Sequence, residues 1–116
     1  MLESGASVGL AKPPPAAAAR FTIENVIAVR HWTPKLVSFR TSRAPGFRFT
    51  PGHYTRVGLG DADDNLVWRP FSVVSAAYDP YLEFVATLVP GGQFSDLLAR
   101  IREGAPMHVD KSSYGF

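Results

Sequence analysis

The chain has 116 residues, 46% of them hydrophobic, and a net charge of +2, which suits one globular domain with one core. It contains no cysteine, which excludes disulfides, thiolate catalysis and iron–sulfur ligation by its own side chains and is compatible with a cytoplasmic location. No apolar run has the length of a membrane span, and the basic residues are scattered, so we expect neither a membrane nor a nucleic acid as a partner.

Residues 1–19 differ in composition from the rest of the chain. They combine small residues with the run Pro13-Pro14-Pro15 and show no apolar periodicity. Proline runs favour an extended, solvated backbone. We therefore expect a disordered N-terminal tail over 1–19 and one folded domain over 20–116.

Six segments of that domain have the composition of β-strands. β-Branched and alternating apolar residues, separated by Pro, Gly and Asp-rich turns, predict strands over 21–29, 36–41, 54–59, 66–75, 82–88 and 107–110. Six short strands predict an all-β fold, a small antiparallel barrel whose closure removes exposed sheet edges.

One helix is predicted between the fifth and sixth strands. Its apolar residues are spaced i, i+3, i+4 and i+7, so they form a single stripe on one face of the helix: Phe94, Leu97, Leu98 and Ile101. Gln93 or Ser95 can begin the helix, and Gly104 can end it in the left-handed conformation. A helix this short needs packing against the strands to be stable.

The segment Trp68–Ser72 combines a cation, an aromatic ring and a hydroxyl group. The Arg69 guanidinium suits phosphate oxygens, and Pro70 removes a ladder donor, which places this stretch at an edge or a bulge. Phe71 shares the face of Arg69 and could cover a flat ring, whereas Ser72 reaches that face only if the backbone twists or bulges at Pro70. A surface arginine and a core phenylalanine are the structural alternatives.

The segment Gly91–Ser95 is a glycine-rich turn that runs into the predicted helix. Free backbone N–H groups at such a point attract phosphate. An ordinary turn with a serine cap is the alternative. Two phosphate-binding elements in one small barrel, with an aromatic residue between them, favour a dinucleotide ligand.

Other motifs are incomplete. Asp61–Asn65 resembles the start of a calcium loop, but the required glycine and terminal glutamate are missing. Gly58 and Gly60 lack the third glycine of a Rossmann fingerprint, and the three histidines have no ligand spacing. The sequence predicts no metal site and no nucleophile–base pair.

As a linked set, these motifs resemble the FAD-binding domain of bacterial ferredoxin–NADP(+) reductases. The family pattern Arg-x-Tyr-Ser, followed by Gly-x-x-Ser/Thr before a helix, is similar to Arg69–Ser72 and Gly92–Ser95. The likeness extends through His31–Phe39, Phe49–Tyr54, Leu82–Phe84 and Arg102–Gly104, from about Phe21 to the end. Phe71 stands where the family commonly has tyrosine, so stacking is kept and the phenolic hydrogen bond is lost.

The resemblance implies a six-stranded antiparallel Greek-key barrel that binds FAD non-covalently. It places Arg69 on the pyrophosphate, Phe71 against the isoalloxazine, and Ser72 near the flavin N5 as the one candidate catalytic residue. It implies further cofactor contacts from the strand ends, the turn and the helix start: Pro70, Thr87, Leu88, Gly92, Gln93, Phe94 and Ser95.

The resemblance also implies an oxidoreductase that moves electrons between NADP(H) and ferredoxin or flavodoxin. The family continues into an NADP-binding domain, and this sequence ends at Phe116, so we expect the barrel domain to be incomplete at its C-terminus. Three alternatives stay open: a cofactor-free barrel that acts as a binding module, a reductase component that serves an oxygenase, and a truncated reductase that does not fold stably.

Overall fold

The computed structural model of the chain describes residues 20–115, which form six strands and one helix. The elements are, in chain order, β1 (Phe21–Thr33), β2 (Leu36–Ser42), β3 (Tyr54–Gly60), β4 (Leu66–Ser72), β5 (Tyr81–Thr87), α1 (Gln93–Ala99) and β6 (Pro106–Asp110). The number and order of elements expected from the sequence are confirmed. The tail expected over 1–19, like Phe116, lies outside the described residues.

The strands form one antiparallel sheet in the order β4-β3-β6-β1-β2-β5. The two edge strands meet where Val73, directly after β4, pairs with Phe84 of β5. There the Val74 amide donates to the carbonyl oxygen of Glu83 at 2.9 Å. This contact closes the sheet into a barrel. Around the barrel, β6, β3, β4 and β5 are spatial neighbours in that order, which is a Greek key. The predicted fold is confirmed.

The core lies inside the barrel and follows from the alternation along each strand. In β5, Leu82, Phe84 and Ala86 are buried, whereas Val85 and Thr87 are exposed. Helix α1 packs on β3 and β4 and adds Phe94 and Leu98 to the same core. The predicted apolar stripe of the helix therefore faces the strands.

Two strand ends differ from the sequence prediction by more than one residue. β1 continues past position 29 to Thr33, because its last residues form a hairpin with β2 in which Thr33 lies opposite Leu36. β4 ends at Ser72 and does not reach Ser75, because the chain pairs with β5 from Val73 onward. Both strand ends are set by pairing with another strand, and the local composition does not show where that pairing begins or ends.

The helix ends also differ from the prediction. The N-cap is Gly92, which has no capping side chain, so neither Gln93 nor Ser95 caps the helix. At the other end the cap is Arg100, with a φ of −100°. Gly104 does have a positive φ of 89°, but it lies in the next turn, where its amide donates to the Val26 carbonyl at 2.7 Å.

An aromatic cluster covers the outer face of β3, β4 and β6. The ring centroids of Phe21 and Trp68 are 5.8 Å apart, and those of Phe21 and His108 are 5.2 Å apart. Burial in this cluster lowers the pKa of His108. The Trp68 indole lies on Gly58, where an added Cβ would stand 3.0 Å from three of its carbon atoms. A side chain at position 58 would therefore require the indole to move by a few tenths of an ångström.

We expect Gly58→Ala to lower the free energy of unfolding by about 1–3 kcal/mol, because the new methyl group displaces the Trp68 indole. Gly60→Ala, in the same strand, is the matched control, since no atom lies within 4 Å of its Cβ position. Chemical denaturation of both variants measures the difference. Equal effects of the two substitutions would contradict the close packing of Trp68 on β3.

A buried carboxylate joins β3, β6 and the residues that follow β6. Asp110 Oδ2 accepts hydrogen bonds from Arg56 Nε and Nη2, at 2.9 and 2.7 Å, and from the Tyr114 hydroxyl at 2.8 Å, while Oδ1 accepts from the Ser112 amide at 2.9 Å. Burial by itself raises the pKa of Asp110, but these hydrogen bonds outweigh it and lower that pKa. The carboxylate is therefore charged and paired at neutral pH.

We expect Asp110→Asn to lower the free energy of unfolding at pH 7 by about 1–3 kcal/mol, the scale of hydrogen bonds to a charged group. The pKa of Asp110 is lower in the folded chain than in the unfolded chain, where it is about 3.9. The stabilisation by this carboxylate is therefore complete above the unfolded pKa, and it disappears as the pH falls through the folded pKa. Denaturation between pH 7 and 3 should show the gap between wild type and variant narrowing in acid.

Glu83→Gln is the control for this measurement. Its partner Arg40 lies 3.1 Å away, and the side chains of the pair are 44% and 23% exposed. Such a pair contributes about 0–1 kcal/mol. The loss in free energy of unfolding could be no larger for Asp110→Asn than for Glu83→Gln, or it could be independent of pH. Either result would rule out a stabilising role for the Asp110 carboxylate.

Candidate functional site

A cleft of about 220 Å³ opens where the edge strands β4 and β5 separate, and α1 forms its floor. Among the described residues no pairing joins the two strands inside their own limits, so the cleft is a gap in the barrel wall. Its lining is Arg69, Pro70, Phe71, Ala86, Thr87, Val89, Phe94, Ser95 and Leu98. Six of these nine belong to the site that the sequence predicted.

Arg69 provides the positive charge of the cleft. It is exposed, and its Nη1 donates to the carbonyl oxygen of Trp68, its neighbour in sequence, at 2.7 Å. No carboxylate within the described part of the chain forms an ion pair with it. Pro70 follows on the edge strand, as predicted. An unpaired guanidinium beside an open strand edge is suited to bind an oxyanion.

Phe71 belongs both to the core and to the cleft. Its ring is half-buried and lies 5.9 Å from the ring of Phe39 and 5.4 Å from that of Phe94, centroid to centroid. It lines the cleft together with Phe94. The core contacts fix the ring while leaving part of it accessible, so the structural and functional interpretations of this residue are compatible.

The turn before α1 brings a hydroxyl group into the cleft. Gly91, with a φ of 78°, allows the chain to reverse, and the Gly92 amide donates to the Val89 carbonyl at 2.9 Å. The Ser95 Oγ accepts the Val89 amide hydrogen at 2.8 Å. Ser95 thus joins the turn to the helix instead of capping it, and its own hydroxyl proton has no acceptor among the described residues.

Four predicted site residues do not line the cleft: Ser72, Leu88, Gly92 and Gln93. The β3–β4 ladder is regular from Gly60–Leu66 to Tyr54–Ser72, so the bulge that would turn Ser72 to the face of Phe71 is not present. Leu88 packs against the core instead, and its amide donates to the Lys35 carbonyl at 2.6 Å. Their roles toward a cofactor stay predictions.

Sequence reasoning missed three lining residues: Ala86, Val89 and Leu98. Ala86 and Leu98 looked like core positions, and both are buried. The sequence offered one indication of the cleft: Ala86 is a small residue at an inward position of the edge strand β5, so it leaves space beside that strand. Val89, 58% exposed, could not be assigned without the geometry of the turn.

Within residues 20–115, no group of three or more histidine, aspartate or glutamate side chains is arranged to hold a metal ion. In the same part of the chain, the helix falls short of the length and apolar character that crossing a bilayer requires.

The chain is similar to known reductases. It is 36% identical to the ferredoxin–NADP reductase of Pseudomonas aeruginosa over 92 residues, which are 79% of this chain and 35% of that protein. It is 37% identical to the flavodoxin/ferredoxin–NADP reductase of Escherichia coli over 91 residues, 78% of this chain and 36% of that one. The chain thus spans about a third of the length of these relatives.

A solved structure shows the same likeness in three dimensions. The ferredoxin NADP+ reductase of Neisseria gonorrhoeae, with bound FAD and NADP, superposes with a TM-score of 0.80 and 40% identity over 84% of this chain and 39% of that chain. Residues 20–115 also match the family described as the oxidoreductase FAD-binding domain. The chain therefore belongs to the oxidoreductase FAD-binding domain family.

Proposed function

We propose that the chain binds FAD in the cleft between β4 and β5. The observation that carries the proposal is the assembly of an unpaired Arg69, a half-buried Phe71, the Thr87 side chain and the free hydroxyl of Ser95 around one opening. Cation, aromatic surface and hydroxyl donors are the groups that a flavin nucleotide requires from its site. The match to an FAD-binding family supports the same ligand.

The size of the cleft is consistent with partial enclosure of this ligand. Its 220 Å³ lie below the roughly 300–1,000 Å³ that usually enclose a drug-sized molecule. Arg69 and Ser95 would hold the pyrophosphate, and Phe71 would lie against the isoalloxazine. Pro70 and Phe94 would contact FAD inside the cleft, and the remainder of FAD would extend along the surface toward the predicted contact residues outside it: Ser72, Leu88, Gly92 and Gln93.

We further propose that the protein transfers electrons between NADP(H) and ferredoxin or flavodoxin. Ser72, at the end of β4, would come near the flavin N5 through the twist of the strand, since the ladder has no bulge there. FAD, when bound, couples two-electron and one-electron chemistry, and the residues of this chain hold and orient it. The NADP(H) site would belong to the part of the relatives that this chain does not cover. The similarity to two reductases named for these acceptors supports the assignment. A cytoplasmic location stays a prediction.

We expect Arg69→Ala to weaken FAD binding by about 1.5–3 kcal/mol, the value of hydrogen bonds to a charged group. The fold should not change, since Arg69 is exposed and, among the described residues, its side chain hydrogen-bonds only to the carbonyl of its neighbour Trp68. Fluorescence titration with FAD gives the affinity, and chemical denaturation gives the stability.

Arg102→Ala is the matched control, because Arg102 is exposed and lies outside the cleft. It should leave the affinity for FAD unchanged. If the folded wild-type chain does not bind FAD, the proposal fails and the cofactor-free binding module is the better account. If Arg69→Ala and Arg102→Ala bind FAD as tightly as wild type, FAD binds elsewhere on the barrel.

A further inference from the structure

A second cavity, of about 340 Å³, lies on the outer face of the sheet formed by β1, β2 and β5. It shares no residue with the FAD cleft. Its lining is Ala28, Arg30, Trp32, Ser38, Phe39, Arg40 and Glu83. Two of these side chains are cations and one is an anion, so the lining has an excess of positive charge.

Arg30 and Trp32 form a fixed pair at one side of this cavity. The Arg30 Cζ lies 3.6 Å from the centroid of the Trp32 ring. Among the described residues no carboxylate pairs with Arg30. Stacking occupies the face of a guanidinium and leaves its in-plane N–H donors free. Arg30 is thus held in place while its hydrogen-bonding capacity is unused.

Ser38 fixes the indole and offers a second donor. The Trp32 Nε1–H donates to Ser38 Oγ at 2.9 Å, and Ser38 is only 5% exposed. Because the serine oxygen accepts this bond, its own proton needs a different acceptor. No such acceptor is present among the described residues, although Ser38 lines the cavity. A buried hydroxyl without an acceptor indicates that a ligand atom can take its proton.

Arg40 lies at the other side of the cavity and is also stacked. Its Cζ is 4.2 Å from the Tyr81 ring centroid, and its Nε donates to Glu83 Oε1 at 3.1 Å. The register places Ala28 opposite Arg40 and Arg30 opposite Ser38, so the two arginines are diagonal neighbours on one face. Glu83 uses one nitrogen of Arg40 and leaves the other N–H groups available.

We propose that Arg30, Ser38 and Arg40 form a binding site for an oxyanion, a phosphate or a carboxylate group. Two guanidinium groups preorganised by aromatic stacking present planar donors that match such groups. The hydroxyl of Ser38 supplies a neutral donor between them. Trp32, 51% exposed, offers an apolar surface beside the charge for the rest of the ligand. The site does not depend on FAD binding.

The test is a titration of the full-length, ¹⁵N-labelled chain with inorganic phosphate at constant ionic strength. The Trp32 Nε1–H resonance should shift with saturation, because this group lies in the site. The Trp68 indole is the internal control, since it is on another face and the nearby Arg56 is already paired with Asp110. A shift without saturation, or an equal shift at Trp68, would overturn the proposal.

Three variants assign the effect to the residues. Arg30→Gln should weaken phosphate binding at Trp32 by about tenfold or more, given the strength of charged hydrogen bonds. Arg100→Gln, an exposed arginine outside both cavities, should not change it. Arg69→Ala should not change it either, which separates this site from the FAD cleft. Unaltered binding in Arg30→Gln would overturn the assignment.

A parallel titration with acetate distinguishes the two sources of the oxyanion. Tighter binding of phosphate assigns the site to a phosphorylated ligand, and tighter binding of acetate assigns it to a carboxylate. The unchanged position of the Trp68 resonance shows in Arg30→Gln and Arg100→Gln that the barrel is folded. No saturable response to either anion would end the proposal.

Discussion

The pairing of Val73 with Phe84 joins the edge strands β4 and β5 at one point and leaves the rest of their edges apart. This incomplete closure makes the sheet a barrel and also creates the gap in which a ligand can lie. The cleft that we propose for FAD, its unpaired Arg69 and the floor formed by α1 depend on it. Had β4 and β5 paired along their full length, the backbone of one strand would fill the space that the cleft now occupies.

The arginines of this barrel divide into paired and unpaired groups. Arg56 is neutralised by Asp110, whose carboxylate also holds Tyr114 and Ser112 in place. This arrangement contributes to stability and leaves little capacity for a ligand. Arg30 and Arg69 differ, because each is positioned without a carboxylate among the described residues. Positive groups that the fold holds but does not neutralise are the ones we assign to ligands.

Much of the fold could be predicted from the sequence because it follows from short-range patterns. The alternation of Leu82, Phe84 and Ala86 fixes both the strand and its buried face. Arg69 and Phe71 could be predicted to share one face because they lie two positions apart on an edge strand that Pro70 marks. Turn glycines before an apolar stripe indicated α1 in the same way.

The features that could not be predicted depend on strands far apart in the sequence. Asp110 and Arg56 are 54 residues apart and meet only because β3 pairs with β6. Trp32 had no assigned role until the β1–β2 register placed Ser38 and Arg40 beside it. The sequence predicts Ser95 as a possible cap, whereas its oxygen accepts a hydrogen bond from the turn. Register and loop geometry, which composition does not encode, decide each case.

The most direct test of the central claim is to map FAD onto the full-length chain by ¹H–¹⁵N NMR. Binding in the cleft predicts saturable changes at the amides of Phe71, Thr87 and Ser95, with the amide of Gly60 unaffected. No saturable change in the folded chain, or changes that avoid the cleft between β4 and β5, would contradict the account.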